Sequence, residues 1–193
     1  MPAAGRGAPE GVIDLRRLDL VPGAGARVEV PVALEDITLG GQPYSPEPRE
    51  AEAVVDAGSS GSGLGLRLRF ATTMQGACQR CLAPSSVDIA VDARDFQASG
   101  RDDADEPDED LDCEYLGGPA RMELDVGAWA RDAVAEAMPM SILCREDCAG
   151  LCARCGADLN DGPCDCADDE VDPRWAALEQ LRQQMGESPE GGS

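Results

Sequence analysis

The sequence predicts an α+β protein: a small antiparallel β-sheet or partial barrel with one packed helix, then a cysteine-rich zinc knuckle and a short helix. A knuckle here is a tight turn that brings two cysteine sulfurs to one metal ion. Three observations predict this architecture. Two segments alternate apolar and polar residues on either side of a Cys-x-x-Cys turn, a later segment has helical periodicity, and six cysteines crowd into residues 144–166. Alternation at period two is typical of a half-buried strand, and recurrence every three to four residues is typical of a helix.

The first strand is predicted around residues 28–34, where the apolar side chains share one face. Pro31 falls on the opposite face and favours an edge position, because proline cannot donate a hydrogen bond to a neighbouring strand. Residues 40–50 carry glycine, proline and serine and are predicted to form a loop. The apolar residues of the strand are Val28, Val30, Val32 and Leu34.

Two further strands are predicted to form an antiparallel hairpin. The segment from Leu64 to Phe70 alternates most clearly, and the segment from Val87 to Val91 repeats the pattern. The short sequence CQRCLAP lies between them and is expected to be the hairpin turn.

Two helices are predicted downstream. Asp125 can cap a helix from Val126 to Met138 that Pro139 stops, and its apolar stripe is expected to pack against the sheet. The stripe consists of Val126, Ala130, Ala133, Val134, Ala137 and Met138, with Trp129 beside it. A second helix is expected to begin at Asp172-Pro173, since proline suits the first helical position. Its apolar side contains Trp175, Leu178, Leu181 and Met185.

These elements divide the chain into four parts. Residues 1–10 and 186–193 are expected to be disordered tails, 11–143 a β-rich core with its helix, and 144–185 the zinc knuckle and terminal helix. The core includes an acidic loop over 98–114, where residues 102–112 hold eight acids and no base. Such a run cannot bury enough apolar surface to fold.

The amino-acid composition limits the kinds of function that this chain can have. The formal net charge is −22, all sixteen bases are arginine, and histidine and lysine are absent, so chemistry that needs either residue is excluded. An acidic surface repels phosphate backbones and suits a basic protein partner, although it can also serve solubility alone. No apolar run is long enough to span a membrane, and the first ten residues lack a signal sequence. We therefore expect a reducing cytoplasm, where closely spaced cysteines indicate metal binding.

The metal prediction rests on residues 144–166. Cys152-x-x-Cys155 followed by Gly156 is a knuckle, and Cys164-x-Cys166 supplies a second pair, so Cys152, Cys155, Cys164 and Cys166 are predicted to hold a structural Zn²⁺. Cys144 and Cys148 compete for these positions. An iron–sulfur cluster is an alternative, but the bacterial ferredoxin spacing is not met.

The Cys78-x-x-Cys81 turn leaves several interpretations open. It can be a redox pair, half of a metal site, or two reduced turn cysteines. A second Zn²⁺ site would form if Cys78 and Cys81 joined Cys144 and Cys148. Cys113 stands apart and is predicted to be a free thiol.

One candidate nucleic-acid contact is a local basic strip of Arg67, Arg69 and Arg80. The alternative is a solvated sheet face on which these arginines pair with neighbouring acids. We favour the second interpretation.

The chain resembles the YceD-like family, bacterial and plastid proteins associated with the accumulation of large-subunit ribosomal RNA. The resemblance covers about residues 11–183 and rests on CQRCLAP, LDVGAWARDAVAEAMPM, CREDCAGLCARCGADLN and VDPRWAALEQL. Cys78 and Cys81 match the Cys-x-Arg-Cys turn of the family. Cys148, Cys152 and Cys155 match its downstream cysteine motif.

This resemblance implies a non-catalytic accessory factor for 23S ribosomal RNA accumulation and large-subunit biogenesis, with no small-molecule substrate. The partner would be a ribosomal precursor particle, met through a basic ribosomal protein or the 23S precursor RNA. One rival hypothesis is a zinc-dependent regulator that binds nucleic acid or transcription machinery. Another is a thiol redox protein that uses Cys78 and Cys81.

Overall fold

The computed structural model describes residues 11–98, 113–117 and 122–166, together with Trp175, Leu178, Leu181 and Arg182. The chain divides into two compact units, residues 1–148 and 149–193. The tails predicted at 1–10 and 186–193 and the acidic run 102–112 lie outside the described residues. So does the predicted start of the second helix at Asp172-Pro173, although Leu178, Leu181 and Arg182 are helical.

Antiparallel β-sheet dominates the first unit, as predicted. Among the described residues, a six-stranded sheet has the order β2-β5-β6-β4-β3 with β7 on the other edge of β6, and a three-stranded sheet has the order β1-β9-β8. The sheets are more extensive than the small sheet that was predicted. The elements are β1 (Val12–Asp14), β2 (Gly25–Ala33), β3 (Ile37–Leu39), β4 (Gln42–Glu47), β5 (Glu50–Ser60), β6 (Gly63–Ala77), β7 (Pro84–Ala98), β8 (Leu116–Gly117), β9 (Glu123–Asp125) and the helix α1 (Val126–Ala137).

The β6–β7 hairpin forms the centre of the unit. Its two fifteen-residue strands pair along their whole length, from Gly63 opposite Ala98 to Ala77 opposite Pro84. Alternate β6 side chains enter the core, and Leu68 and Met74 are fully buried. Both predicted strands and the predicted hairpin turn are therefore confirmed. The prediction that Pro31 marks an edge is also confirmed, because β2 ends the order of the sheet.

The loop predicted over residues 40–50 is wrong, because β4 occupies Gln42–Glu47 and β5 begins at Glu50. Tyr44 explains the strand: its ring is fully buried, and its hydroxyl donates a 2.7 Å hydrogen bond to the carbonyl oxygen of Ala77. Gly76 opposite leaves room for the ring, which a Cβ there would strike. This packing outweighs the turn propensity of the local sequence.

The predicted helix is confirmed as α1. The Asp125 side chain accepts a 2.9 Å hydrogen bond from the backbone N–H of Ala128, and the helix ends at Ala137, before Pro139. Trp129 is buried and its ring stacks on Tyr115 with centroids 5.7 Å apart. Ala137, which was assigned to the buried stripe, is exposed instead. The helix packs against β7 and β2, which places the chain that follows it beside the β6–β7 turn.

Candidate metal centres

Four cysteine sulfurs converge at the β6–β7 turn of the first unit. Cys78 and Cys81 lie in the turn, and Cys144 and Cys148 lie in the segment after α1. All four sulfurs are within 4.8 Å of one another. The Sγ atoms of Cys78 and Cys148 are 3.8 Å apart, and those of Cys81 and Cys144 are 3.6 Å apart. We call this set the hairpin group.

Two polar contacts hold the segment after α1 against the turn. The backbone N–H of Gln79 donates to the carbonyl oxygen of Ile142 at 2.9 Å. The guanidinium of Arg80 donates to the carbonyl oxygen of Cys148, also at 2.9 Å. Cys148 is 1% exposed and Cys78 is fully buried, whereas Cys144 is exposed. One side of the hairpin group is therefore built into the core and the other borders solvent.

A second group of four sulfurs lies in the second unit. Cys152, Cys155, Cys164 and Cys166 are also within 4.8 Å of one another, so the structure brings together the four residues that the sequence analysis chose as ligands. We call this set the distal group. Cys144 and Cys148, the competing candidates, belong instead with Cys78 and Cys81.

Local hydrogen bonds shape the distal group. Leu151 and Asp158 form an isolated antiparallel bridge, and the backbone N–H of Leu159 donates to the carbonyl oxygen of Gly150 at 2.9 Å. The side-chain oxygen of Asn160 accepts from the backbone N–H of Ala149 at 2.8 Å. The segment between the two cysteine pairs therefore folds back on the residues around the Cys152–Cys155 turn.

The two Cys-x-x-Cys turns have the same local structure. In each, the backbone N–H two residues after the first cysteine donates to its sulfur at 3.4 Å, from Arg80 to Cys78 and from Arg154 to Cys152. The first cysteine N–H donates 2.8 Å to the carbonyl of the residue five positions later, Ala83 or Ala157. Its own carbonyl accepts from the residue four positions later at 3.0 and 2.9 Å. The chain thus carries two copies of one Cys-x-x-Cys turn.

This repeat was not predicted, although both segments read Cys-x-Arg-Cys-x-Ala. The copies differ at the residue after the second cysteine. Leu82 has φ +62° and Gly156 has φ +72°, both in the left-handed region that favours glycine. The Cys-x-x-Cys-Gly pattern drew attention to the turn of the distal group, whereas Leu82 made the similarity of the other turn harder to recognise.

Sulfur spacing in the hairpin group suits a tetrahedral metal ion. Zinc–sulfur bonds of ~2.3 Å in a regular tetrahedron place the sulfurs about 3.8 Å apart. The distances of 3.8 and 3.6 Å match this edge and exceed the ~2.05 Å of a disulfide by far. Soft thiolates select zinc or an iron–sulfur cluster, and four of them fill a tetrahedral site completely. The donor set fits a closed, structural centre.

Each Cys-x-x-Cys turn lowers the pKa of its first cysteine. Burial alone would raise the pKa of Cys78, but backbone N–H groups of Cys81, Arg80 and Cys144 bring it down to about 6. Backbone N–H groups of Cys155 and Arg154 lower the pKa of Cys152 to about 6. Each group therefore holds one thiolate at neutral pH, ready to receive a cation.

Later cysteines in each group titrate in the opposite direction. Hydrogen bonding with Cys81 raises the pKa of Cys144 to about 12, and hydrogen bonding with Cys155 raises that of Cys166 to about 12. The raised pKa values reflect the cost of placing several thiolates side by side. A divalent cation would remove this repulsion between the thiolates and displace the protons that the sulfurs share.

The candidate basic strip and Cys113 can also be compared with their predictions. Arg67 and Asp92 form paired 2.6 Å hydrogen bonds, and Arg69 contacts Asp56 at 2.6 Å, so two arginines of the candidate basic strip are paired with acids. Cys113 joins neither sulfur group, and burial raises its pKa to about 12. A thiol in that state is a poor nucleophile.

Within the described residues, no helix has the length and apolar character that crossing a membrane requires.

A family model and one named relative point to the same family. A family model described as large ribosomal RNA subunit accumulation protein YceD matches residues 66–182, which include all eight clustered cysteines. The chain is 34% identical over 104 residues to the Arabidopsis thaliana protein named large ribosomal RNA subunit accumulation protein YCED homolog 1, chloroplastic. That alignment covers 53% of this chain and 32% of the plant protein.

Mycobacterial relatives extend the comparison. An uncharacterized protein of Mycobacterium tuberculosis is 34% identical over 109 residues, or 55% of this chain and 49% of that protein. An uncharacterized protein of Mycobacterium leprae is 47% identical over 47 residues, or 24% of this chain and 21% of that protein. The chain therefore spans half or less of these curated relatives. No solved structure matches it significantly.

Proposed function

Because the chain belongs to the YceD family of large ribosomal RNA subunit accumulation proteins, we propose that it is a non-catalytic accessory factor for 23S ribosomal RNA accumulation and large-subunit biogenesis. The family match over residues 66–182 carries this proposal, since it includes most of the β6–β7 hairpin, α1 and both sulfur groups. The Arabidopsis relative, whose name carries the same role, supports it. We place the activity in the cytoplasm, where reducing conditions keep thiols available for metal.

Both sulfur groups, in this proposal, hold structural Zn²⁺. Cys152, Cys155, Cys164 and Cys166 would hold one ion, and the hairpin group would hold the other. Bound zinc would supply cross-linking: at the hairpin group it would join the β6–β7 turn to the segment after α1. Four thiolates leave no coordination position for a substrate, which supports a scaffolding role and not a catalytic one.

A ribosomal precursor particle is the proposed partner. The net charge of −22 favours contact through a basic ribosomal protein over contact with the 23S precursor RNA. The pairing of Arg67 with Asp92 and of Arg69 with Asp56 supports the same choice, because those cations are already neutralised. Redox use of Cys78 and Cys81 is less favoured, since each sulfur lies beside a sulfur from beyond the turn.

Depletion of the protein in its host tests the function. We expect the ratio of large-subunit to small-subunit ribosomal RNA to fall and the large-subunit peak in a sucrose gradient to shrink. The wild-type chain and a Cys113→Ser variant should restore both, whereas a Cys148→Ser/Cys152→Ser variant should not. Normal ribosomal RNA ratios and gradients after full depletion would refute the function.

Acidification is expected to release zinc from both groups. Protons compete with metal for thiolates, so zinc affinity should rise with pH. The zinc affinity should therefore fall as the pH is lowered. This fall should steepen below about pH 6, where Cys78 and Cys152 gain a proton in the metal-free protein. Competition with a chromophoric chelator across this range would measure the affinity. Affinity that is independent of pH would contradict thiolate ligation.

A further inference from the structure

A groove of about 630 Å³ runs between β7 and α1 in the first unit. Six consecutive β7 residues, 90–95, line one side. Because neighbouring side chains of a strand point to opposite faces, six in a row show that the edge of β7 borders the groove. Helix residues at positions 129, 132, 133, 136 and 137 line the other side, and this spacing defines one face of α1.

The strand edge along this groove has no strand paired with it among the described residues. β7 pairs with β6 on its other side over all fifteen residues. An open edge offers backbone N–H and C=O groups to an incoming strand. Peptides commonly bind in this way, with main-chain hydrogen bonds for affinity and side-chain contacts for selectivity.

The walls of the groove are strongly acidic. The lining residues include five carboxylates and one cation, Arg94. Asp92 already pairs with Arg67, and Asp132 pairs with Arg131 at 3.1 Å. The lining carboxylates are Asp92, Asp95, Glu114, Asp132 and Glu136.

The floor beneath these carboxylates is apolar and aromatic. Trp129 is 3% exposed, and its ring stacks on that of Tyr115. Burial, together with the charges of Glu114, Asp132 and Asp95, raises the pKa of Tyr115 well above its usual range. The groove therefore has acidic walls and an apolar floor. This combination suits the aliphatic stems and charged ends of lysine and arginine.

We propose that this groove binds an extended, lysine- and arginine-rich segment of a partner protein, which adds as a strand to the free edge of β7. Backbone pairing with β7 would fix the register of the segment, and the carboxylates would receive its cations. RNA would be repelled from the same walls. The inference rests on the proposed function only for the source of the segment, a basic protein of the ribosomal precursor.

Binding of a defined peptide to the full chain tests the proposal. The probe is a fluorescent peptide of about ten residues that alternates arginine and valine, long enough to span residues 90–95 at ~3.3 Å per residue. We expect saturable binding that weakens as salt is raised. Glu114→Lys/Glu136→Lys should weaken it at least about tenfold, because like charges would face the peptide.

Matched controls separate this groove from general charge attraction. Glu29→Lys/Glu52→Lys makes the same charge change at exposed sites on β2 and β5, away from the groove, and should leave the affinity within about twofold. A peptide methylated on alternate backbone nitrogens should bind at least about tenfold more weakly, since it cannot pair with β7. Equal losses in both double variants, undiminished binding of the methylated peptide, or no binding by the wild-type chain would overturn the proposal. Ribosomal RNA accumulation is not measured here, so failure of this test leaves the proposed function standing.

Discussion

Replacing Cys148 with serine is expected to empty the hairpin group of metal and to lower the free energy of unfolding of the first unit by about 3 kcal/mol or more. The Cys148 sulfur lies 3.8 Å from that of Cys78 and is almost fully buried. A serine hydroxyl is a poor zinc ligand. Without the metal, the three remaining sulfurs would repel one another. Metal binding energy is folding energy when the site exists only in the folded chain. Urea unfolding followed by tryptophan fluorescence, paired with zinc analysis, would measure both effects.

Cys113→Ser is the matched control for this experiment. Cys113 is also about 1% exposed, but it belongs to neither sulfur group. Its replacement should cost about 1–3 kcal/mol from the buried hydroxyl alone and leave the zinc content unchanged. Equal destabilisation by the two variants, with zinc retained in both, would contradict a metal centre at the hairpin group.

Cys152→Ser is expected to abolish ordered structure in residues 149–166 while the first unit stays folded. No apolar side chain is buried among the described residues of this segment, where only Gly150 is inaccessible. The distal group is then the main source of its stability, and structural zinc in small peptides contributes roughly 10–16 kcal/mol of apparent binding free energy. Amide chemical-shift dispersion and protease cleavage within the segment would report the loss.

Ala153→Ser provides the control within the same knuckle. Ala153 is exposed and lies between the two ligand cysteines, so a hydroxyl there should change neither protection nor zinc content. If the Cys152→Ser segment remained as resistant to protease as the Ala153→Ser segment, some interaction other than metal binding would order it.

Local physics made much of the fold predictable. The β6 and β7 strands follow from alternation that one buried face imposes, and α1 follows from the Asp125 cap and the stop before Pro139. β4 escaped prediction because its stability comes from Tyr44, whose partners Gly76 and Ala77 lie more than thirty residues away. Turn propensity is a local signal, and packing at that distance is not.

The two sulfur groups differ in the same way, because one is formed by residues close in sequence and the other by residues far apart. The distal group was predictable because its four cysteines fall within one short segment. The partners of Cys144 and Cys148 were only one of several open interpretations, because the sulfurs they meet are 63 and 70 residues away in sequence. Only the fold brings the segment after α1 back to the β6–β7 turn. The proposal of two structural centres therefore depends on the hairpin as much as on the cysteine spacing.

Zinc analysis of protein purified under reducing, anaerobic conditions tests this account most directly. We expect two zinc ions per chain in the wild-type protein and one in each of the Cys148→Ser and Cys152→Ser variants, since each substitution should empty only its own group. Wild-type protein without stoichiometric zinc, or a single ion that either substitution removes, would contradict two independent centres.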